Sequence, residues 1–280
     1  MTGTLVLVGT PIGNLGDLSP RATEAIAGAD LLACEDTRRT GRLLAHAGIT
    51  PPRMIVVNEH TEAKERTRVL RTLSAGKSVV VVSDAGVPGI SDPGERLVRA
   101  AIEAGHPVEV VPGPSALVAA LVVSGLPTAR FVFEGFLPRR GSDRTERVAA
   151  LRDERRTIVL FEAPHRVERT LTDLAAALGG DRRVAIAREL TKLHEEVWRG
   201  TLDDAVAWAA RGAKGELVIV VEGAPPRAQP DDAEIVAALV DARASGASTR
   251  DAVSAVAAEL DVARRRVYEL ATRGAGSPSG

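Results

Sequence analysis

The chain has 280 residues, is 45% hydrophobic and 26% charged, and carries a net charge of −1. At roughly 150 residues per domain this length suggests about two domains, and the composition excludes wholesale disorder. The near-neutral balance excludes a globally basic nucleic-acid coat, and an aromatic content of 2% argues against a platform that stacks several bases on Phe and Tyr. One cysteine, Cys34, excludes an internal disulfide and a multi-cysteine zinc site, so no metal is expected. The longest apolar runs are strand-sized, far below the roughly 18 residues of a spanning helix. The first residues, MTGTLVLVGTP, enter a strand pattern without a basic leader, so the expected setting is the cytoplasm, with no membrane partner.

In chain order, Thr4–Val8 reads as a strand and Pro20–Ala29 as a helix capped by Ser19. Leu31–Cys34, Met54–Val57, Val79–Ser83 and Val108–Val111 read as further strands. Arg38–Ala47, His60–Ala75 and Glu95–Ala104 read as helices, stopped by Gly48, Gly76 and Gly105. Apolar strands alternating with helices predict parallel strands buried on both faces. The rhythm resumes with a small-residue helix at Ser115–Ser124. Strands are expected at Phe131–Phe133, Thr157–Phe161, Arg183–Ala187 and Leu217–Val221, and helices at Ser142–Glu154, Val167–Leu178 and Thr201–Ala210.

The expected fold is therefore α/β: two α/β domains, 1–113 and 114–224, then a Gly/Pro linker at Gly223–Pro230 and a helical module at 231–274. Within that module, helices are predicted at Asp232–Ser245, Thr249–Leu260 and Val262–Arg273. They suit either a helix-turn-helix or a helical appendage. The last residues, GAGSPSG, are expected to be loose.

The chemistry lies in the loops after strands. Gly9-Thr-Pro-Ile-Gly13 is spaced G-x-x-x-G, and Pro11 lacks an N–H, so it is a poor dinucleotide loop. Ser83-Asp-Ala-Gly-Val-Pro-Gly-Ile-Ser-Asp-Pro-Gly94 follows the most apolar strand, where open α/β sheets bind ligands. Its two acids suit hydroxyls, an amine or a sulfonium rather than a phosphate. PGPSA (112–116), GFLP (135–138), FEAPHR (161–166) and RELTKLHEE (188–196) also follow strands. Two such rims facing each other would enclose a deep cleft.

With TPIGN (10–14), EDTR (35–38) and NEH (58–60), these motifs form an ordered set over about 220 residues. The set resembles the small-subunit (16S) ribosomal RNA (cytidine-2′-O)-methyltransferase family, a branch of the tetrapyrrole methylase superfamily. The resemblance implies S-adenosylmethionine bound between two α/β domains, a homodimer, and a 16S rRNA or small-ribosomal-subunit substrate methylated on a cytidine ribose of the decoding region. Carried across residue by residue, it places the cofactor against Pro11, Asp84, Ala85, Gly86, Ile90 (in preference to Val87), Ser91, Ser115, Ala116, Glu162, Ala163 and Leu190.

A ribose hydroxyl is a poor nucleophile until its proton is accepted, so a base or a cation must assist. The candidates are Glu35, Asp36, Arg38, His60, Glu189 and Lys192. Each has a plainer role open to it: Glu35 and Arg38 as an ion pair, Asp36 or His60 as a helix cap. Glu195 and Glu196 are expected to be solvated surface. For RNA phosphates the candidates are Arg139, Arg140, Arg264, Arg265 and Arg266. The segment Arg130–Arg156 holds eight arginines against five acids, which also suits a solvated helix face. Two other functions share these features: C-methylation of a tetrapyrrole, and non-catalytic RNA binding in ribosome assembly.

Overall fold

The computed structural model describes residues 2–58, 60–226 and 230–273. The chain divides into two compact units, Met1–Ala224 and Pro225–Gly280.

The first unit opens with a five-stranded sheet: β1 (Leu5–Val8), β2 (Leu31–Cys34), β3 (Met54–Val56), β4 (Val79–Val82) and β5 (Val108–Val111), in the order β3-β2-β4-β1-β5. All its pairings are parallel. β4 is four valines, each at most 3% exposed, because a central parallel strand is covered on both faces. The crossovers are α1 (Pro20–Ala27), α2 (Thr37–His46), α3 (Glu62–Ser74) and α4 (Glu95–Glu103). Ser19 caps α1 by accepting from the Ala22 N–H, with Pro20 behind it. Asp36 caps α2 by accepting from the Arg38 N–H.

Pro112–Pro114 leads into α5 (Ala116–Ser124), which packs on the second sheet. That sheet contains β6 (Phe131–Phe136), β7 (Thr157–Glu162), β8 (Arg183–Arg188), β9 (Glu196–Thr201) and β10 (Leu217–Val221), in the order β6-β7-β10-β8-β9. Its helices are α6 (Ser142–Ala150), α7 (Val167–Leu178) and α8 (Leu202–Ala209). Here the all-parallel expectation fails. Only β6–β7 is parallel, while β10 runs antiparallel to both β7 and β8, and β8–β9 is antiparallel. The connection from β8 to β9 is too short to cross over, so the chain folds back on itself. β9 itself was not expected. Its EVWRGT pattern has no continuous apolar run, and its two exposed-looking acids disguised the strand start. Glu195 and Glu196 are not plain surface: Glu195 accepts from the Thr191 N–H, and Glu196 pairs with Arg188 at 2.8 Å.

The second unit holds α9 (Asp232–Ala244), α10 (Thr249–Glu259) and α11 (Arg264–Arg273) around a small core of Ile235, Leu239, Val253, Val256 and Val267. Asp231 and Ser248 cap α9 and α10. Asp261 turns the chain into α11 with φ +51. The expected loose tail, the centre of the linker (Arg227–Gln229) and Glu59 lie outside the described residues.

Candidate functional site

The carboxyl ends of β1, β4 and β5 face those of β6, β7 and β8 across a cavity of about 310 Å³. The antiparallel β10 contributes its amino end, Leu217 and Val218, because that end reaches the same rim. The walls are mostly apolar: Ile12 after β1, Val87 and Ile90 after β4, Phe136 and Phe161 on β6 and β7, and Ala187 and Leu190 at the end of β8. Polar groups enter at Ser91, Asp92, Ser115 and Glu216.

The loop after β4 is pinned at both ends. Thr10 and Gly86 exchange main-chain hydrogen bonds of 2.8 and 3.1 Å. Thr10 Oγ1, almost fully buried, donates to the Ser83 carbonyl at 3.2 Å. At the far end the buried Glu62 accepts from the Gly94 N–H at 3.2 Å. Gly94 has φ +137, a conformation that side-chain-bearing residues rarely adopt. The loops after β1 and β5 touch at Gly9 and Gly113, where a Cβ on Gly9 would stand 2.7 Å from Gly113 Cα. Two glycines let these backbones meet.

Of the residues proposed to hold a cofactor, Ala85, Gly86, Ile90, Ser91, Ser115, Ala116, Glu162, Ala163 and Leu190 line this cavity. Val87 lines it together with Ile90. Pro11 does not. It is buried, and its neighbour Ile12 takes the wall position. Asp84 also stands off the wall. Its Oδ2 lies 3.4 Å from Arg39 Nε, and its Oδ1 is buried without a hydrogen bond. Glu162 lines the cavity, but its carboxylate is not free to meet a ligand. Its carboxylate is fully buried and accepts from the Ala163 N–H, Thr170 Oγ1 and Arg166.

Three carboxylates lie together behind and beside the cavity: Glu35, Asp84 and Asp92. The Asp84 N–H points to Glu35 Oε2 at 3.5 Å. Burial raises the pKa of all three. Asp92 is pushed up to about 6 by burial and then by the Glu35 charge, against a hydrogen bond from Ser83. Asp92 was absent from the catalytic candidates. The signal available was its place in the loop, nine residues after Ser83 and just before Pro93, where the chain must turn back into the cavity.

The expected catalytic set is scattered. Asp36 and Arg38 form an exposed pair at the start of α2, 2.8 Å apart, so Arg38 pairs with Asp36 rather than with Glu35. That pairing holds the Asp36 carboxyl well below its usual range. His60 is exposed before α3, and its N–H donates to Asn58 Oδ1. Neither group reaches the cavity wall. Glu189 and Lys192 sit at the cavity edge, beside Leu190. Lys192 Nζ lies 2.8 Å from both Glu189 Oε1 and Glu216 Oε2. Burial alone would lower the Lys192 pKa, but the two carboxylates outweigh it and raise it. Glu189 is lowered by Lys192 and by the Glu216 N–H.

Arg139 and Arg140 are exposed in the turn after β6, close to the wall residue Phe136. Elsewhere in the Arg-rich segment the structure uses the charge internally. Arg144 is 4% exposed and bonds Asp173, Thr170 and the Pro138 carbonyl. In α11, Arg265 pairs with Glu269 and Arg266 with Asp232, leaving Arg264 as the exposed member without a salt bridge among the described residues.

The two-sheet chain has counterparts among known proteins. Residues 4–206 match the model of the Tetrapyrrole (Corrin/Porphyrin) Methylases. The chain is 47% identical to "Ribosomal RNA small subunit methyltransferase I" of Synechocystis sp., covering 96% of this chain and 97% of that protein. It is also 47% identical to the protein of that name from Mycobacterium tuberculosis, covering 96% and 94%. The chain belongs to the ribosomal RNA small subunit methyltransferase I family. Its fold is shared with the methyltransferase CobJ, at a TM-score of 0.62 and 22% identity over 81% of this chain and 97% of that one. It is shared too with a uroporphyrin-III C-methyl transferase of Thermus thermophilus crystallised with S-adenyl homocysteine. There the TM-score is 0.56 and the identity 20%, over 78% of this chain and 96% of the other.

Proposed function

We propose that this protein transfers a methyl group from S-adenosylmethionine to the 2′-hydroxyl of a cytidine in the decoding region of 16S rRNA. The near-full-length 47% identity to ribosomal RNA small subunit methyltransferase I carries the reading. The cavity fits the cofactor. Its volume lies within the range of small-molecule sites, its apolar walls suit an adenine, and Glu216 suits an amine. S-adenosylmethionine, when bound, supplies an electrophilic methyl group.

The residues of the chain then have distinct tasks. Ala85, Gly86, Ser115, Ala116 and Ala163 offer close main chain, and Ile12, Val87, Ile90 and Leu190 offer apolar contact. Asp92 Oδ accepts the proton of the ribose hydroxyl, because its pKa near 6 leaves it ionised yet basic at neutral pH. Glu35 and Asp84 tune Asp92 by repulsion. Lys192, bonded at 2.8 Å to both Glu189 and Glu216, holds the loop after β8 to the start of β10 at the cavity edge. Arg139 and Arg140 guide the RNA backbone to the mouth. Holding nucleophile and methyl in line is worth on the order of 7–11 kcal/mol.

The segments 1–113 and 114–224 act as two gripping domains in this reading, and 231–274 as an RNA-facing module with Arg264 foremost. A homodimer is proposed as well. Val118 and Val122, one turn apart on α5, are 51% and 68% exposed, and Val110 on the free-edged β5 is 57% exposed. A second copy would cover them. No described helix is long and apolar enough to cross a membrane. The proposed location is the cytoplasm, with small ribosomal subunits. The test is transfer of a labelled methyl group to unmethylated small subunits and to naked 16S rRNA. Label in a 2′-O-methylcytidine is expected. Label only in a porphyrinoid acceptor, or RNA bound without transfer, would overturn the reading.

A further inference from the structure

A second cavity, of about 320 Å³, lies in the β8, β9 and α8 layer, and the established chemistry leaves it unused. Both tryptophans of the chain line it, with ring centroids 6.0 Å apart and planes tilted by 32°. Each is half-buried, so each keeps part of its ring open. Trp198 lies on β9 and Trp208 near the end of α8. Gly200 makes room for the first, since a Cβ there would stand 2.6 Å from the Trp198 ring.

The polar lining is specific. Glu196 accepts from Arg188 at 2.9 Å and from Trp208 Nε1 at 3.4 Å, which fixes its carboxylate in the cavity. Each carboxylate oxygen can accept more than one hydrogen bond, so acceptor capacity remains. Arg211 also lines the cavity, is exposed, and makes no salt bridge among the described residues. Partly accessible indoles, a fixed acceptor and a guanidinium without a salt bridge among the described residues match the parts of a single nucleotide: a base, an exocyclic amine to donate, a phosphate to pair.

The location ties this cavity to the methyl-transfer site. Ala187 lines the first cavity and Arg188 the second, so adjacent residues at the end of β8 point to opposite faces of the sheet. An RNA strand entering the first cavity needs only to cross that strand end to reach the second. We propose that the Trp198–Trp208 cavity is an accessory subsite for one unpaired, amine-bearing RNA nucleotide next to the target. The base stacks on an indole, its amine donates to Glu196, and its phosphate meets Arg211. This rests on the RNA-methylating reading above, from which its test can be separated.

Because both tryptophans lie in the cavity, intrinsic tryptophan fluorescence reports on it alone. A titration with short unstructured oligocytidylate is expected to give a saturable change, several-fold weaker with oligouridylate, whose base has no exocyclic amine. Arg211→Ala, a change at an exposed loop residue, is expected to weaken that response and to raise the KM for small subunits about ten-fold, with kcat and cofactor affinity within two-fold of the parent. Trp198→Phe should retain most of the binding and Trp198→Leu lose it. Three results would overturn the subsite: no response to either oligomer, an unchanged KM in Arg211→Ala, or a fluorescence change that follows protein concentration without RNA, as a second copy in the cavity would give. If the parent transfers no methyl to subunits, the RNA-methylating reading fails, yet the oligomer titration still decides the subsite.

Discussion

The Asn14 N–H donates to Thr191 Oγ1 at 3.0 Å and so joins the loop after β1 to the loop after β8 beside the cavity. Ile12 and Leu190, two residues before Asn14 and one before Thr191, line that cavity. Thr191 holds φ +65, a conformation unfavourable for a β-branched residue. The surrounding contacts enforce it, since the space beside Gly13 is filled by Lys192 and Thr191. Thr191→Ala removes the bond and should cost about 1 kcal/mol by urea unfolding. It should also weaken cofactor binding measured by calorimetry. Thr191→Asn, which tolerates this backbone and keeps a side-chain acceptor, should recover most of the loss. Equal affinities for parent and Thr191→Ala would show that this bond does not shape the cavity.

Asp92 gives the pH dependence. Its pKa of about 6 lies above that of an unfolded Asp, near 3.9, so the folded protein binds the proton more tightly. The associated stability is complete below about pH 4 and is lost as pH rises through about 6. Asp92→Asn should therefore stabilise the protein at pH 7 to 8, by roughly 1–2 kcal/mol after allowance for partial exposure, and make no difference near pH 3. As the proton acceptor, Asp92 should make kcat rise through pH 6 in the parent. Asp92→Asn should lower kcat on the order of 100-fold or more. A variant that is merely more stable, with full activity, would remove Asp92 from the chemistry.

The first sheet was legible because uninterrupted apolar runs such as Val79–Val82 survive only where both faces are covered. The loops around the cavity were legible for a related reason: Gly, Pro and acids directly after such strands mark a ligand rim. Strand direction in the second sheet was not legible, since Leu217–Val221 is equally apolar whether parallel or antiparallel. That concealed Glu216, Leu217 and Val218 as wall residues, because an antiparallel strand brings its start to the rim where the others bring their ends. Asp92 was missed because its burial, and after that the charge of Glu35, far away in sequence, perturb it, and neither can be read from the loop sequence. The pairing of Arg144 with Asp173 and of Arg147 with Glu134, inside the Arg-rich segment 130–156, was not legible either, because a guanidinium reads the same whether it meets a phosphate, water or a carboxylate.

Lys192 bridges Glu189 and Glu216, and the three charges stabilise one another. Glu189 has a lowered pKa, so its share of stability is present at neutral pH and lost in acid. Lys192 has a raised pKa, so its share is present at neutral pH and lost in strong base. Lys192→Met should therefore destabilise by about 1 kcal/mol between roughly pH 5 and 10, and little below pH 4. Glu189→Gln in the Lys192→Met background should return part of the loss, because it removes a carboxylate facing Glu216. A double-mutant cycle with no coupling would show the bridge to be incidental.

Arg144 tests the division between internal and RNA-facing arginines. Its guanidinium is buried and satisfied by Asp173, Thr170 and Pro138. Arg144→Met should cost about 3 kcal/mol by chemical denaturation, the lower end for breaking a buried pair, because Asp173 is partly exposed. RNA affinity of the folded fraction should keep its salt dependence. A stable variant with a flatter salt slope would place Arg144 on the RNA.

Arg139 and Arg140 lie in the turn after β6, exposed beside the cavity mouth. An arginine on a phosphate releases condensed counterions, so each one lost should reduce the slope of log K against log salt by about 1. The double variant Arg139→Ala, Arg140→Ala should flatten the slope for small-subunit binding by about 2, leave cofactor affinity unchanged, and alter stability by less than about 0.5 kcal/mol, as expected for exposed side chains. Arg265→Ala and Arg266→Ala should leave the slope nearly unchanged, because Glu269 and Asp232 already neutralise those cations. Filter binding across a salt series separates the two pairs. A flattened slope in the Arg265 and Arg266 variants, with none in the turn variants, would take Arg139 and Arg140 off the RNA and place those two α11 cations on it.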